Sequence, residues 1–166
     1  LFLLCTAICC EEFEEYIPCQ VTLTGIGKVE HLDNAGSVPV APVGGVVSRQ
    51  AYMLRIPLDF EYEKEIVEGT YYEYILTDTI ANIQIISLTA YDESHPAGTD
   101  VNELFMNYPL RQEDQLTDYK YGYMYGTVFY KIPRTLPQAG VHRFKVVVTT
   151  RKGEEFTKET DEITMQ

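Results

Sequence analysis

Tyr52, Leu54, Ile56, Leu58, Phe60 and Tyr62 alternate with Met53, Arg55, Pro57, Asp59 and Glu61. Alternation with a period of two is the mark of a strand with one buried face. Pro57 has no amide hydrogen to donate, so the pattern predicts a strand that lies at a sheet edge or bulges there. Near the C-terminus Phe144, Val146 and Val148 oppose Arg143, Lys145 and Thr149, and the run breaks at Arg151-Lys152-Gly153 before resuming over Phe156 to Thr160. Glycine at the break can take the positive φ of a tight turn, and the whole predicts a β-hairpin between Gly140 and Met165.

Shorter runs complete the picture. Gln20–Ile26, Tyr71–Thr77, Ile80–Ala90 and Tyr119–Ile132 read as further strands. The second-last of these sets Ile83, Ile85 and Ser87 against Gln84, Ile86 and Leu88, so both faces are partly apolar and a central position is expected. Asn34 to Gly45 carries no charge and holds several prolines and glycines, which predicts a loop. Asp100 and Glu103 have the spacing of a capping box before Leu104 and Phe105, which predicts one helical turn. No stretch alternates strands with helices of normal length. The expected architecture is an all-β antiparallel β-sandwich, immunoglobulin-like with Greek-key connections; an eight-stranded β-barrel is the alternative.

The chain has 166 residues, which suits one domain with its own core. It is 45% hydrophobic and 12% aromatic, and its formal charge is −12, with thirteen basic residues scattered along it. Such a composition argues against disorder and against nucleic acid as a partner, which calls for a clustered basic patch.

The N-terminus speaks to location. Leu1 to Ile8 is apolar apart from Cys5 and Thr6, too short to span a membrane, and ends in Cys9-Cys10 followed by Glu11-Glu12-Phe13-Glu14-Glu15. This succession resembles bacterial lipoproteins, in which a short apolar leader precedes a cysteine that is lipidated and becomes the mature N-terminus. The resemblance implies lipidation at Cys10 (or Cys9), with 1–9 as a partial signal peptide, 10–18 as an acidic tether and 19–166 as the domain. The acidic run resembles the surface-export tag of Bacteroidetes lipoproteins. A buried first strand is the competing reading of 1–10. The four cysteines lie at 5, 9, 10 and 19. If Cys9 carries lipid, Cys10 and Cys19 remain as a candidate disulfide pair; if Cys10 carries it, Cys19 is left alone.

The stretch from Ile85 to Phe105, together with that leader, is similar to an uncharacterised domain-of-unknown-function family of secreted Bacteroides-type lipoproteins. The resemblance implies location and carries no functional residues. The sequence itself offers little chemistry. His31, His95 and His142 lie in no zinc pattern, no nucleophile elbow or phosphate-binding glycine loop is present, and His142 is expected as a hydrogen-bonded residue at the core edge. Asp92, Glu93 and Asp100 form the least ordinary acidic cluster, a calcium candidate set against a plain turn-and-cap reading. Tyr119, Tyr121, Tyr123 and Tyr125 would share one face of a regular strand and offer sugar rings a stacking platform, or simply pack as a structural band. The expectation is a non-catalytic protein without cofactors, anchored by lipid to the outer membrane or cell surface, whose partner is an envelope protein or a glycan.

Overall fold

A computed structural model of the chain describes residues 16–68, 70–108 and 128–166. Twelve strands run through them: β1 (Ile17–Ile26), β2 (Glu30–Asp33), β3 (Val46–Val47), β4 (Tyr52–Tyr62), β5 (Tyr72–Leu76), β6 (Ile80–Ser87), β7 (Phe105–Asn107), β8 (Val128–Pro133), β9 (Gly140–His142), β10 (Phe144–Thr150), β11 (Glu155–Glu159) and β12 (Ile163–Met165). They form a six-stranded sheet ordered β5-β1-β4-β8-β7 with β2 beside β4, and two three-stranded sheets ordered β11-β10-β6 and β3-β12-β9. The protein is all-β and sandwich-like, as its alternation predicts.

The strand with the clearest alternation, β4, sits in the middle of the large sheet rather than at an edge. On one flank Glu30 to Asp33 pair with Arg55 to Tyr52, and Val21 to Ile26 pair with Tyr62 to Leu58. On the other, Leu54 to Pro57 pair with Lys131 to Val128. Pro57 is tolerated because of where its nitrogen points. Its carbonyl accepts a hydrogen bond from Gly27 N at 3.0 Å, and in an extended strand the nitrogen of the same residue faces the same flank. There β1 has ended and β2 has not begun, so the missing donor falls on a break in the ladder. Gly27 fits that break because a Cβ would lie 3.1 Å from Pro57 Cγ and from Asp59 Oδ1.

The pairing is mixed, against the expectation of antiparallel strands throughout. β5 does not fold back beside β4 but crosses over β1 and runs parallel to it, Ile17 opposite Tyr72 and Val21 opposite Leu76. The crossing is tied down by Glu63 N donating to Gln20 O (2.9 Å), Ile17 N to Tyr71 O (2.9 Å) and Lys64 Nζ to Pro18 O (2.8 Å). β12 likewise runs parallel to β3, and antiparallel to β9.

β6 borders its sheet instead of occupying the centre. Ile83, Ile85 and Ser87 are buried while Ile86 is only half-buried. Its outer edge is covered by the segment 98–101, through Ser87 N to Thr99 O, Gly98 N to Ser87 O and Val101 N to Ile85 O. The C-terminal hairpin forms as expected, with Val148 opposite Phe156 and Gly153 at φ 90° in the turn. The run from Gly140 is split, however: β9 joins one sheet and β10 another. Thr160, buried at the corner, makes the switch possible, since its Oγ1 accepts from Phe144 N at 3.0 Å and its N donates to Phe144 O at 2.9 Å.

The expected helical turn is a 3-10 turn over Asn102–Leu104 preceded by Val101, without a capping box. Asp100 instead accepts from Asn102 N (3.0 Å) and Ile85 N (3.3 Å) through Oδ1 and from Gln84 Nε2 (3.1 Å) through Oδ2. Between the sheets lies a core centred on Tyr52, Tyr91, Phe105 and Phe144. Phe144 stacks on Tyr52 (6.1 Å between centroids, 26° between planes) and meets Phe105 edge-on (6.0 Å, 89°). Each such pair contributes about 0.5–1.5 kcal/mol beyond its buried area. β1 begins at Ile17, inside the stretch read as tether, and Cys19 is fully buried in it.

Candidate functional site

All three histidines touch the aromatic core, and each has a structural explanation. His31 Nε2 lies 2.9 Å from the Asp161 carbonyl and must donate to it. Its Nδ1 is then the acceptor for the Tyr52 hydroxyl, also at 2.9 Å. The neutral ring satisfies both contacts, and burial pushes its pKa down. His142 donates from Nε2 to Gln138 O at 2.8 Å and stacks on Phe144 with 9° between planes. Burial lowers its pKa as well, and its buried Nδ1 has no partner among the described residues. The Tyr91 hydroxyl donates to Thr135 O at 2.6 Å, and burial holds its pKa well above the usual phenol value. His31 thus ties β2 to β4 and to the segment before β12, while His142 and Tyr91 hold the loop carbonyls of Gln138 and Thr135.

The acidic cluster is used locally. Asp92 Oδ1 accepts from Ser94 N (2.8 Å), His95 N (2.9 Å) and His95 Nδ1 (2.7 Å), and the bond from the His95 ring holds its carboxyl below the usual range. Asp100 is committed to β6 and the following turn, and Glu93 is exposed. Of the calcium candidates, Asp92 and Asp100 are thus engaged as turn formers. Among the described residues no group of three or more His, Cys, Asp or Glu side chains is placed to hold a metal ion. Cys9, Cys10, Tyr119, Tyr121, Tyr123 and Tyr125 lie outside the described residues. Cys19 is buried and has no disulfide partner among the described residues.

A different set of tyrosines is gathered at the β5 edge. In the register of the large sheet Tyr74 lies opposite Cys19 and Tyr62 opposite Val21, so two large rings flank two small residues of β1. The rings meet there, Tyr62 and Tyr74 at 5.6 Å in a T shape and Tyr72 and Tyr74 at 6.0 Å with 24° between planes. All three are half-buried, and burial together with Tyr74 and Cys19 raises the pKa of Tyr62. The Tyr72 hydroxyl holds the crossing segment, donating to Glu65 O and accepting from Val67 N, both at 3.3 Å. On the other face of β5 stand Tyr71, Glu73 and Ile75, all exposed, with Tyr16 against Tyr71 at 5.8 Å. Among the described residues the arrangement offers ring faces and an open strand edge. Sequence reading passed over it because Tyr62 and Tyr74 become neighbours only through the parallel β1–β5 pair. The cluster Tyr71-Tyr72-Glu73-Tyr74 was the one available signal.

A family of domains of unknown function, DUF5034, matches residues 26–161. No curated protein matches the sequence. Among solved structures, one similar chain is the C-terminal domain of the Streptococcus pyogenes antigen I/II-family protein AspA, with 11% sequence identity and a TM-score of 0.32. The match covers 86% of this chain and 46% of that one, so the chain spans less than half of the structure it resembles.

Proposed function

The chain belongs to the DUF5034 family, and from that premise we propose that it is a non-catalytic recognition or assembly module of the bacterial cell envelope. In this reading a lipid on Cys10 (or Cys9) holds it at the outer membrane or cell surface, and the acidic run Glu11 to Glu15 spaces it from the bilayer. Two or more acyl chains make such an anchor stable, since each buried methylene contributes about 0.8 kcal/mol. The observation that carries the recognition role is the β5 edge, where Tyr72 and Tyr74, with Tyr62 of β4 against them, present half-buried rings. Mass spectrometry of the full chain expressed behind a complete signal peptide in a lipoprotein-processing host tests the anchor. The expected result is an acylated N-terminal cysteine in the membrane fraction; an unmodified, unprocessed N-terminus there overturns it.

A second reading, glycan binding, draws on the same rings, since the apolar faces of sugars stack on tyrosine. Tyr119, Tyr121, Tyr123 and Tyr125 belong to this reading too. Glycan-array binding that is lost in Tyr74→Ala favours it over a protein partner, and silence on the array counts against it.

A further inference from the structure

The edges of the three sheets are not alike. β7 and β9 have three residues each and β3 has two. β6 is covered by the segment 98–101. β11 carries Glu155, Lys158 and Glu159, all exposed, and charge on an edge discourages pairing with another chain. β5 has no cover among the described residues and no such protection: it has five residues, Tyr-Glu-Tyr-Ile-Leu, with Glu73 its one charge and no proline or lysine. Ile17 N donates to Tyr71 O and Thr77 N to Val21 O, so the odd-numbered residues turn their amides toward β1. Tyr72, Tyr74 and Leu76 therefore turn theirs outward, where no strand among the described residues lies.

We propose that this edge accepts an extended basic segment of a partner protein as an added strand, a proposal that rests on the recognition role above and names its partner. Main-chain hydrogen bonds to Tyr72, Tyr74 and Leu76 supply the docking, and alternate side chains of the incoming strand supply the choice of partner. On one face they meet the rings of Tyr72 and Tyr74, which favours apolar residues. On the other they meet Tyr71, Glu73 and Ile75, all exposed. The lysine of this region, Lys64, is bonded to Pro18 O. Complementarity to Glu73, on a chain of formal charge −12, thus calls for lysine or arginine. A second copy of this chain brings the same carboxylates and a charge of −12, and is repelled.

The test titrates the full chain with a labelled, end-blocked peptide of four Lys-Val repeats, followed by fluorescence anisotropy at physiological salt and by amide chemical shifts. Its control is a twin methylated at every backbone nitrogen, which keeps the charges and removes the donors. The parent peptide is expected to bind at least about tenfold tighter than the twin, equivalent to ~1.4 kcal/mol, with shifts centred on Tyr72 to Leu76. Glu73→Lys, an exposed change that leaves the core alone, is expected to weaken the parent and admit a Glu-Val peptide. Equal binding of the twin, shifts centred on another strand, or no binding at all overturns the proposal. So does a dimer in sedimentation that Glu73→Lys disperses, which gives the edge to a second copy. The acyl mass at the N-terminus is read independently, so a failure of the anchor and a failure of the edge are separable.

Discussion

At the scale of single residues, the buried histidines link folding to acidity. His31 and His142 both have pKa values held below the ordinary 6.5, chiefly by desolvation. Between those lowered values and 6.5 the unfolded chain binds protons that the folded one does not. Their contribution to stability is therefore complete above 6.5 and is lost as pH falls through 6.5 toward the lowered values. His142 is the cleaner case, because its Nδ1 has no acceptor waiting for a second proton among the described residues. The melting temperature is expected to fall from about pH 7.5 to about pH 5.5, and less steeply in His142→Gln. Equal slopes in the two proteins would show that these rings are not the cause. The place of His142 was readable, since it precedes the alternation of Phe144, Val146 and Val148; the His31–Tyr52 contact was not, because the partners join only once β2 lies beside β4.

At the scale of elements, what could be read was what alternation encodes. β4 runs over the residues its pattern marks, and the hairpin turns at Gly153. The misreadings concern neighbours rather than strands. Pro57 spoke for an edge or a bulge, and the break lies instead in the adjoining strand, between β1 and β2. Ile86 spoke for a central β6 because the segment that covers its edge follows in sequence without any strand pattern of its own. The parallel β1–β5 pair, and with it the tyrosine edge, depends on a crossing whose direction no local signal states. The Gly27–Pro57 contact gives this scale its prediction. Gly27→Ala places a methyl against a proline ring that cannot move aside, and is expected to cost about 1–2 kcal/mol in denaturant unfolding. An unchanged midpoint would mean that β1 and β2 part without strain.

At the scale of the whole molecule, a formal charge of −12 is spread over a small body whose few ion pairs, such as Arg55–Glu30 at 2.7 Å and Arg143–Glu159 at 2.6 Å, lie at its surface. Repulsion of this kind is long-ranged and screened within about 8 Å at 0.15 M salt. Raising sodium chloride from a few millimolar to about 0.15 M is expected to raise the melting temperature. A flat or falling response would assign the charge a smaller share in stability. The smallest sheet has a further effect. Thr164 and Met165 pair with Val46 and Val47, and Ile163 with His142, so segments from early and late in the sequence are sewn together by β12. During synthesis Val47 leaves the ribosome long before the strand that seals it. The nascent polypeptide therefore carries Val46 and Val47 without their strand partner until translation has passed Met165, so this edge of the core closes last.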